Sequence, residues 1–233
     1  MSVEALQTTD GPIVFERARL SDGRSDDPVY HSVAKTLASR CAGSGTLIDV
    51  GCGRGNLWKV TRKLFDRYLG IDLVEYPGFP DEGDFVTCNL EDYSIPLPDA
   101  VGDAAVALET IEHLDNPRAF MRELVRLVKP NGWIVVTTPN QLSLLSKMTL
   151  LLKNQFNAFQ STSYPAHRTA LLEIDLIRIA AESGLSELTV EYTDRGRMPL
   201  SRKQWPRFCR GRHFSDNVLI VARKPSQPGL TTT

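Results

Sequence analysis

A glycine-rich turn constrains this chain more than any other part of its sequence. The turn lies in the segment Leu47-Ile48-Asp49-Val50-Gly51-Cys52-Gly53-Arg54-Gly55-Asn56-Leu57. The apolar residues 46–50 predict a buried strand, and the periodicity of residues 57–65 predicts a helix. Glycine tolerates a positive φ and lets a ligand lie against the backbone, while the first N–H groups of the helix face that ligand. This stretch therefore predicts the start of a nucleotide-binding βαβ unit.

The spacing of the glycines separates two kinds of ligand. A dinucleotide fingerprint, Gly-x-Gly-x-x-Gly, needs its third glycine at the position of Asn56. The spacing is instead Gly-x-Gly-x-Gly, and Asp49 stands just before it. A carboxylate here repels a pyrophosphate but attracts a ligand with an ammonium and a sulfonium group. The segment resembles the first motif of class I S-adenosylmethionine (SAM)-dependent methyltransferases.

The resemblance implies the fold. It covers residues 29–140 well and residues 165–224 more loosely, and it implies a doubly wound α/β fold. Its sheet would be Rossmann-like, with seven mostly parallel strands, helices on both faces and an antiparallel last strand. The alternation of strands and helices in the sequence favours a parallel sheet covered on both faces. Within it, a Pro-Asn-Gly motif at residues 130–132 predicts a turn, and Gly184 predicts the end of a helix over residues 171–183.

Length and composition fit one domain with flanking segments. With 233 residues, 42% of them hydrophobic, the chain can form a single α/β domain at residues 28–224. We expect a flexible lead-in at residues 1–27 and a disordered tail at residues 225–233. The net charge of −1 gives no overall attraction to nucleic acid, and the four cysteines are not spaced like a metal site or disulfide framework.

No targeting or membrane-spanning segment is expected. The polar start of the chain has no signal-peptide core, and no apolar run reaches about 18 residues. We therefore expect a cytoplasmic protein without a transmembrane segment. The sequence does not indicate its oligomeric state.

The second and third predicted strands end in further candidate cofactor residues. Residues 67–72 end in Asp72, the place of a ribose-binding carboxylate in NAD-binding and SAM-binding sheets. A carboxylate can accept hydrogen bonds from two neighbouring hydroxyls. The resemblance implies that Asn89 accepts from the adenine amino group and that the N–H of Leu90 meets the ring. The expected cofactor-binding residues are Asp49, Gly51, Cys52, Gly53, Gly55, Asp72, Leu73, Asn89, Leu90 and Glu109.

Acids and imidazoles follow the fourth predicted strand, residues 103–108. The sequence there is Glu109-x-x-Glu112-His113, and His167 follows later. One hypothesis is a metal-free catalytic site of His113, His167 and Glu109, with an imidazole as general base. The other is that Glu109, Glu112, His113 and His167 bind Mg²⁺ or Mn²⁺. The second pattern resembles the metal-dependent ubiquinone-pathway catechol O-methyltransferases and small-RNA 2′-O-methyltransferases. We favour the metal-free site.

Two segments interrupt the predicted core. Residues 142–159 predict an amphipathic helix inside a lid insert of about residues 141–166. We expect its apolar face to pack on the core, with a substrate lid and a peripheral membrane contact as alternatives. Residues 195–213 form a basic arm, with seven basic residues, no acid, and Trp205 and Phe208 between them. The arm predicts either a solvated segment or a docking surface for an anionic substrate, a lipid or a nucleic-acid phosphate.

Together these patterns predict a SAM-dependent methyltransferase that acts on a small-molecule acceptor, anionic or lipophilic, at oxygen. Methyl transfer from a sulfonium is an in-line displacement, so alignment of donor and acceptor should dominate the rate. Two alternatives stay open. One is a metal-assisted RNA 2′-O-methyltransferase, which the basic arm favours and the lack of an RNA-binding module disfavours. The other is a non-catalytic interaction subunit with the SAM fold, which the intact Asp49 and Asp72 disfavour.

Overall fold

The glycine turn follows an inner strand of a mixed sheet. The computed structural model describes residues 23–41, 43–201 and 203–226. Its strands are β1 Thr46–Val50, β2 Arg67–Asp72, β3 Asp84–Thr87, β4 Gly102–Leu108, β5 Val128–Pro139, β6 Ser186–Tyr192 and β7 Asn217–Arg223. Within the described residues they form one sheet in the order β3-β2-β1-β4-β5-β7-β6. Strands β1 to β5 are parallel, and β7 is antiparallel to both β5 and β6. The expected Rossmann-like sheet with an antiparallel last strand is confirmed.

Parts of three predicted segments lie outside the described residues. They are residues 1–22 of the lead-in, residues 227–233 of the tail and Arg202 of the basic arm. The described remainder of the lead-in includes residues 23–26, which reach the candidate site.

Helices cover both faces of the sheet. They are α1 Asp27–Ala38, α2 Asn56–Thr61, α3 Pro117–Leu127, α4 Leu144–Lys153 and α5 Glu173–Glu182. Helices α1 and α2 pack on one face with Leu47 and Val106, whereas Ile48 and Ala105 face α3 and α5. Because successive strand residues point to opposite faces, the continuous apolar runs of β1 and β4 fill two cores at once.

Local signals in the sequence fix the ends of two helices. The Oδ1 atom of Asn116 accepts from the N–H of Ala119 at 3.0 Å, and Pro117 takes the first position of α3. Gly184, with φ of +79°, lies two residues beyond the end of α5. The prediction that this glycine ends the helix is confirmed.

The turn predicted at the Pro-Asn-Gly motif is wrong, because the motif lies inside β5. Gly102 pairs with Val128, but Ala104 pairs with Trp133, so five steps along β5 face two steps along β4. The extra residues form a bulge, and the positive φ of Asn131, +67°, lies within it. The turn-forming residues therefore bend a continuing strand and do not reverse the chain.

Helix α4 lies outside both cores, and its expected packing on the core is wrong. Its single fully buried side chain is that of Ser146. Leu151 and Leu152 are 85% and 69% exposed. The physical reason is that α1, α2, α3 and α5 already cover the two faces of the sheet. Among the described residues, no helix is both long enough and apolar enough to cross a membrane.

The close approach of Thr110 to Gly51 gives a test of the glycine turn. Gly51 has φ of +77°, and a Cβ there would lie 2.3 Å from Thr110 Oγ1, whose hydroxyl donates to two backbone carbonyls. Gly43 has φ of +73° with nothing within 4 Å of a Cβ. We expect Gly43→Ala to lower the free energy of unfolding by about 1–2 kcal/mol through backbone strain alone. Gly51→Ala should cost about 1–3 kcal/mol more through the clash. Urea unfolding measures both, and equal losses would show that the clash is relieved without cost.

Candidate active site

A cavity of about 520 Å³ opens where the glycine turn meets the carboxyl ends of β1, β2 and β4. The carboxyl edge of a parallel sheet, beside a change in strand order, is the usual ligand site of such folds. Its volume lies in the range of small-molecule pockets. Most of the expected cofactor residues line it, namely Asp49, Gly51, Cys52, Asp72, Leu73, Asn89, Leu90 and Glu109.

Gly53 and Gly55, also expected to bind cofactor, pack against other parts of the protein. A Cβ on Gly53 would lie 2.3 Å from the carbonyl oxygen of Gly23, and one on Gly55 would lie 2.4 Å from Cδ of Pro80. Both glycines have a positive φ. Their missing side chains therefore let two other segments approach the turn closely.

Asp49 is 2% exposed and has one oxygen without a partner. The hydroxyl of Tyr68 donates to its Oδ2 at 2.6 Å, whereas its Oδ1 is buried with no hydrogen bond among the described atoms. Burial raises the pKa of the Asp49 carboxyl to about 7, against the opposing effect of the Tyr68 hydrogen bond. A cationic ligand group would stabilise the ionised form, so Oδ1 is a candidate partner for an ammonium.

Asp72 ends β2 with both carboxylate oxygens bound by backbone. Oδ2 accepts from the N–H of Gly53 at 2.8 Å, and Oδ1 accepts from that of Leu73 at 2.7 Å. Each oxygen keeps a second lone pair for a ligand hydroxyl. Asn89 is also engaged, because its Oδ1 accepts from the N–H of Glu91 at 3.2 Å and caps a short 3₁₀ turn. That oxygen too keeps one lone pair for an amino group.

Residues 23–26, here called the N-terminal strap, cross the glycine turn and line the cavity. The carbonyl oxygen of Gly23, the first residue of the strap, accepts a hydrogen bond from the N–H of Arg54 at 3.1 Å. The N–H of Ser25 donates to the Tyr30 hydroxyl at 2.8 Å. Sequence reasoning assigns the strap to the flexible lead-in and so misses it as part of the site. The Asp-Asp-Pro pattern at the start of α1, typical of a helix N-terminus, is the signal that marks ordered chain here.

Glu109 follows β4 with φ of +47°. Its Oε1 accepts from Nδ2 of Asn217 at 2.6 Å, and the Ser25 hydroxyl also binds the carboxylate. Burial raises the pKa of Glu109, and these two hydrogen bonds oppose the rise. The carboxylate is therefore directed toward β7 and the strap. Glu109 lies outside the cluster of possible metal ligands among the described residues.

That cluster consists of Glu112, His113 and His167, whose candidate ligand atoms all lie within 4.8 Å of one another. The two imidazole rings are 4.8 Å apart and nearly perpendicular. Oε2 of the fully buried Glu112 accepts from the Thr138 hydroxyl at 3.1 Å, and Oε1 has no partner among the described atoms. Burial, reinforced by the charge of Glu109, raises the pKa of Glu112 well above its usual value.

Residues 162–169, here called the active-site loop, complete the surroundings of the imidazoles. Nδ1 of His113 lies 2.7 Å from the Ala166 carbonyl, so Nδ1 carries a proton and donates it to that oxygen. Burial lowers the pKa of His167, against a hydrogen bond with the Ala158 carbonyl. Because Nδ1 of His167 has no partner among the described atoms, that bond uses Nε2–H. Nδ1 of His167 is therefore the nitrogen without a proton, and it is buried with no hydrogen-bond partner among the described atoms.

Non-local hydrogen bonds hold the active-site loop on the cluster. The N–H groups of Arg168 and Thr169 donate to the carbonyl of Glu112 at 2.9 and 3.0 Å. The Arg168 guanidinium pairs with Asp115 at 2.8 Å. The side of the loop around Tyr164 lines the cavity. One cavity thus joins the expected cofactor residues to both imidazoles.

The described part of the basic arm is held mainly by acids outside it. Asp194 pairs with two of its arginines, and Asp216 pairs with a third. Arg212 makes a bidentate pair with Glu173 at 2.7 and 3.0 Å, and the Tyr192 hydroxyl joins them. Much of the cationic character expected of this arm is therefore neutralised within the fold.

Comparison with known proteins bears on the family. A family model described as a methyltransferase domain matches residues 26–190. A Mycolicibacterium smegmatis protein, named as an S-adenosylmethionine-dependent methyltransferase, is 31% identical over 178 residues, which cover 70% of this chain and 65% of that protein. A ubiquinone biosynthesis O-methyltransferase from Thiobacillus denitrificans is 26% identical over 165 residues, which cover 67% of this chain and 70% of that protein. The match to a similarly named Mycobacterium tuberculosis protein spans 42% of that relative's length.

Solved structures share the fold. The Burkholderia thailandensis 1,6-didemethyltoxoflavin-N1-methyltransferase, solved with that compound and S-adenosylhomocysteine, superposes with a TM-score of 0.63. It is 15% identical, and the match covers 93% of this chain and 90% of that chain. At this identity the likeness establishes the shared architecture.

The buried carboxyl of Asp49 predicts an unusual dependence of stability on pH. Its pKa is about 7 in the folded protein and about 3.9 in the unfolded chain, so the folded state favours the protonated form. Any stability this provides is complete below pH 4 and is lost as the pH rises to 7. Asp49→Asn keeps an acceptor for Tyr68 and cannot ionise. Relative to wild type, it should therefore gain stability between pH 4 and 7, by at most roughly 4 kcal/mol.

Denaturant unfolding of both proteins across this pH range measures the difference between their free energies of unfolding. Comparison with Asp49→Asn removes the effect of every other titrating group. A difference that stays constant from pH 4 to 8 would contradict the raised pKa.

Proposed function

The chain belongs to the class I SAM-dependent methyltransferase family, and we propose that it transfers the methyl group of SAM to an oxygen atom of a small-molecule acceptor. The observation that supports this best is the single cavity that contains Asp49, Asp72 and the two imidazoles of His113 and His167. The residues proposed to bind the cofactor and those proposed to accept a proton thus line the same cavity. The name of the Thiobacillus denitrificans relative supports oxygen as the accepting atom.

The residues at the glycine turn fit SAM through a buried atom that needs a partner. Oδ1 of Asp49 has no hydrogen bond among the described atoms, and the ammonium of the methionine part would supply one. Asp72 would accept from the ribose hydroxyls, and the turn from Asn89 to Leu90 would meet the adenine. When bound, SAM supplies an electrophilic methyl group, and its transfer leaves S-adenosylhomocysteine.

His167 is the proposed general base. The lowered pKa keeps its imidazole neutral near pH 7, and Nδ1 offers a lone pair without a partner among the described atoms. As the acceptor oxygen bonds to the methyl carbon, its proton moves to this nitrogen, and the electron pair of the broken carbon–sulfur bond stays on sulfur. His113, with its Nδ1 held by the Ala166 carbonyl, lines the same cavity and would contact the acceptor.

A metal-assisted reaction is the second candidate, because two buried atoms of the cluster lack partners. Oε1 of Glu112 and Nδ1 of His167 both lack a partner among the described atoms. One candidate ligand atom from each of Glu112, His113 and His167 lies within 4.8 Å of the other two. These three residues would hold Mn²⁺ or Mg²⁺. The ion would lower the pKa of an acceptor hydroxyl and favour acceptors with two neighbouring oxygens.

The remaining alternatives have less support. An RNA 2′-O-methyltransferase needs a phosphate-binding surface, and the arginines at 195, 197, 210 and 212 in the basic arm already pair with acids. A non-catalytic subunit with the SAM fold does not need two imidazoles in the wall of the cofactor cavity. Binding of the cofactor and turnover separate these possibilities.

Cofactor choice is tested by thermal unfolding with ligands. S-adenosylhomocysteine should raise the melting temperature, because Asp49 Oδ1 gains a cationic partner, whereas NAD brings a pyrophosphate toward the same carboxylate. At about 100 times its dissociation constant, the ligand should add ~2.7 kcal/mol to the free energy of unfolding. Stabilisation by NAD with no response to S-adenosylhomocysteine would contradict the proposed function.

Substitution of His167 and chelation together separate the general base from the metal. His167→Gln removes the base, and turnover with a small phenol or catechol acceptor should fall by about 10²–10⁴-fold with unchanged S-adenosylhomocysteine affinity. His31→Gln, at an exposed histidine, is the matched control and should retain activity. Wild-type turnover should survive chelation.

The opposite result would favour the metal. In a metal-assisted reaction, a chelator should abolish turnover and Mn²⁺ should restore it. Calorimetry should then also show that the protein binds Mn²⁺. Glu112→Gln should then weaken that binding. This outcome would contradict the role of His167 as a simple base and leave the methyltransferase proposal intact.

A further inference from the structure

The end of helix α4 exposes apolar side chains that nothing in the described structure covers. Leu150, Leu151 and Leu152 are consecutive and are 38%, 85% and 69% exposed. Soluble monomers bury most of their large aliphatic side chains, and contiguous apolar patches mark interaction sites. With about 25 cal/mol for each Å² of apolar surface, removing these leucines from water would be favourable. The exposed end of α4 is therefore a candidate interaction site.

Positive charge surrounds these leucines. Lys147 and Lys153 belong to the same helix and are exposed. The sequence from Leu124 to Leu172 contains no acidic residue. Lysine side chains can keep their ammonium groups in the headgroup layer of a membrane while their methylenes lie along apolar surface. Exposed leucines flanked by lysines are suited to a lipid bilayer, which has an apolar interior and can carry anionic headgroups.

The basic arm adjoins this helix and adds an exposed aromatic and an exposed basic side chain, although four of its arginines pair with acids outside it. The N–H of Leu144 donates to the carbonyl of His213 at 2.9 Å, and Nζ of Lys147 lies 3.4 Å from Nδ1 of that histidine. Further along the arm, Phe208 is 86% exposed and Arg207 is exposed. The sequence from Arg195 to Ser215 contains no acid. Two segments with exposed apolar and basic side chains thus adjoin at the start of α4.

We propose that α4 and the adjoining basic arm dock on the surface of an anionic lipid bilayer. Leu151 and Leu152 would enter the boundary between headgroups and acyl chains, and Lys147 and Lys153 would bind lipid phosphates. An interfacial helix combines an apolar side with flanking basic residues, and its attachment depends on anionic lipid. This is attachment to one surface of the membrane and does not involve a span.

The docking surface leads to the cavity. Asn157 lies against α4, since its N–H donates to Oγ of Ser146 at 3.2 Å. The chain then forms the 3₁₀ turn Ser161–Ser163, whose last residues line the cavity together with Tyr164. Tyr164 is 73% exposed and stands at the cavity mouth. A lipophilic acceptor could pass from the bilayer to the imidazoles along this path, a consequence that rests on the proposed methyltransferase function.

Vesicle co-sedimentation tests the docking surface with the full chain. Wild type should sediment with vesicles of phosphatidylcholine and phosphatidylglycerol, and much less with phosphatidylcholine alone. Lys147→Glu with Lys153→Glu should lower the partition coefficient by about 30-fold or more. Leu151→Ser should lower it by roughly tenfold or more. The matched controls are Lys63→Glu on an exposed lysine and Ile174→Ser on α5, where the isoleucine is 45% exposed, and both should bind like wild type.

The following results would overturn the docking proposal. Binding that is equal for both kinds of vesicle, or unchanged by the lysine and leucine substitutions, would exclude this surface. A Leu151→Ser variant that converts a vesicle-free dimer to a monomer in gel filtration would assign the patch to a second copy of the chain. Melting curves confirm that each variant is folded. The response to S-adenosylhomocysteine reports the cofactor site separately. Its absence in wild type would count against the proposed function and not against docking.

Discussion

The single hydrogen bond from Tyr68 to a buried carboxylate is the interaction on which the site depends. Tyr68 lies in β2, and its ring stacks between Trp58 of α2 and Phe79, at centroid distances of 5.2 and 5.7 Å. This packing fixes the hydroxyl that binds Oδ2 of Asp49 and leaves Oδ1 buried without a hydrogen-bond partner among the described atoms. The two cores and the cofactor site are therefore coupled, because the residues that fill one core also orient the acid. A cationic ligand would restore the charge that burial disfavours.

Most of the sheet and the cofactor side of the site could be predicted from the sequence, because their signals are local. Strand, glycine turn and helix are adjacent in the chain, and Asp72 ends its own strand. The active-site loop could not be predicted in the same way. It is held by hydrogen bonds between residues more than fifty positions apart, such as that from Arg168 to the carbonyl of Glu112. The bulge in β5 also depends on pairing with β4, so its turn-like residues were misleading.

The charge of the basic arm depends on acids that lie outside it in the sequence. Between residues 195 and 213 no acid appears, yet Asp194 and Asp216 stand at its two ends and Glu173 reaches it from α5. Exposed ion pairs of this kind contribute little to stability, but they position the arm and lower its net field. Local composition therefore overstates the charge available to a ligand. The lysines of α4 differ, because the hydrogen-bond partners of Lys147 and Lys153 among the described residues are His213 and Gln160 and not acids.

Burial of Glu112 sets the chemistry that its cluster can support. With Oε1 unpaired and the charge of Glu109 nearby, the carboxyl is favoured in its protonated form, as its raised pKa indicates. A neutral Glu112 does not favour a second proton on His167, in agreement with the lowered pKa of that imidazole. A divalent ion would reverse this state, since it would favour the carboxylate and occupy the same nitrogen. The general-base and metal-assisted reactions thus use the same three residues in mutually exclusive protonation states, and one cluster cannot support both at once.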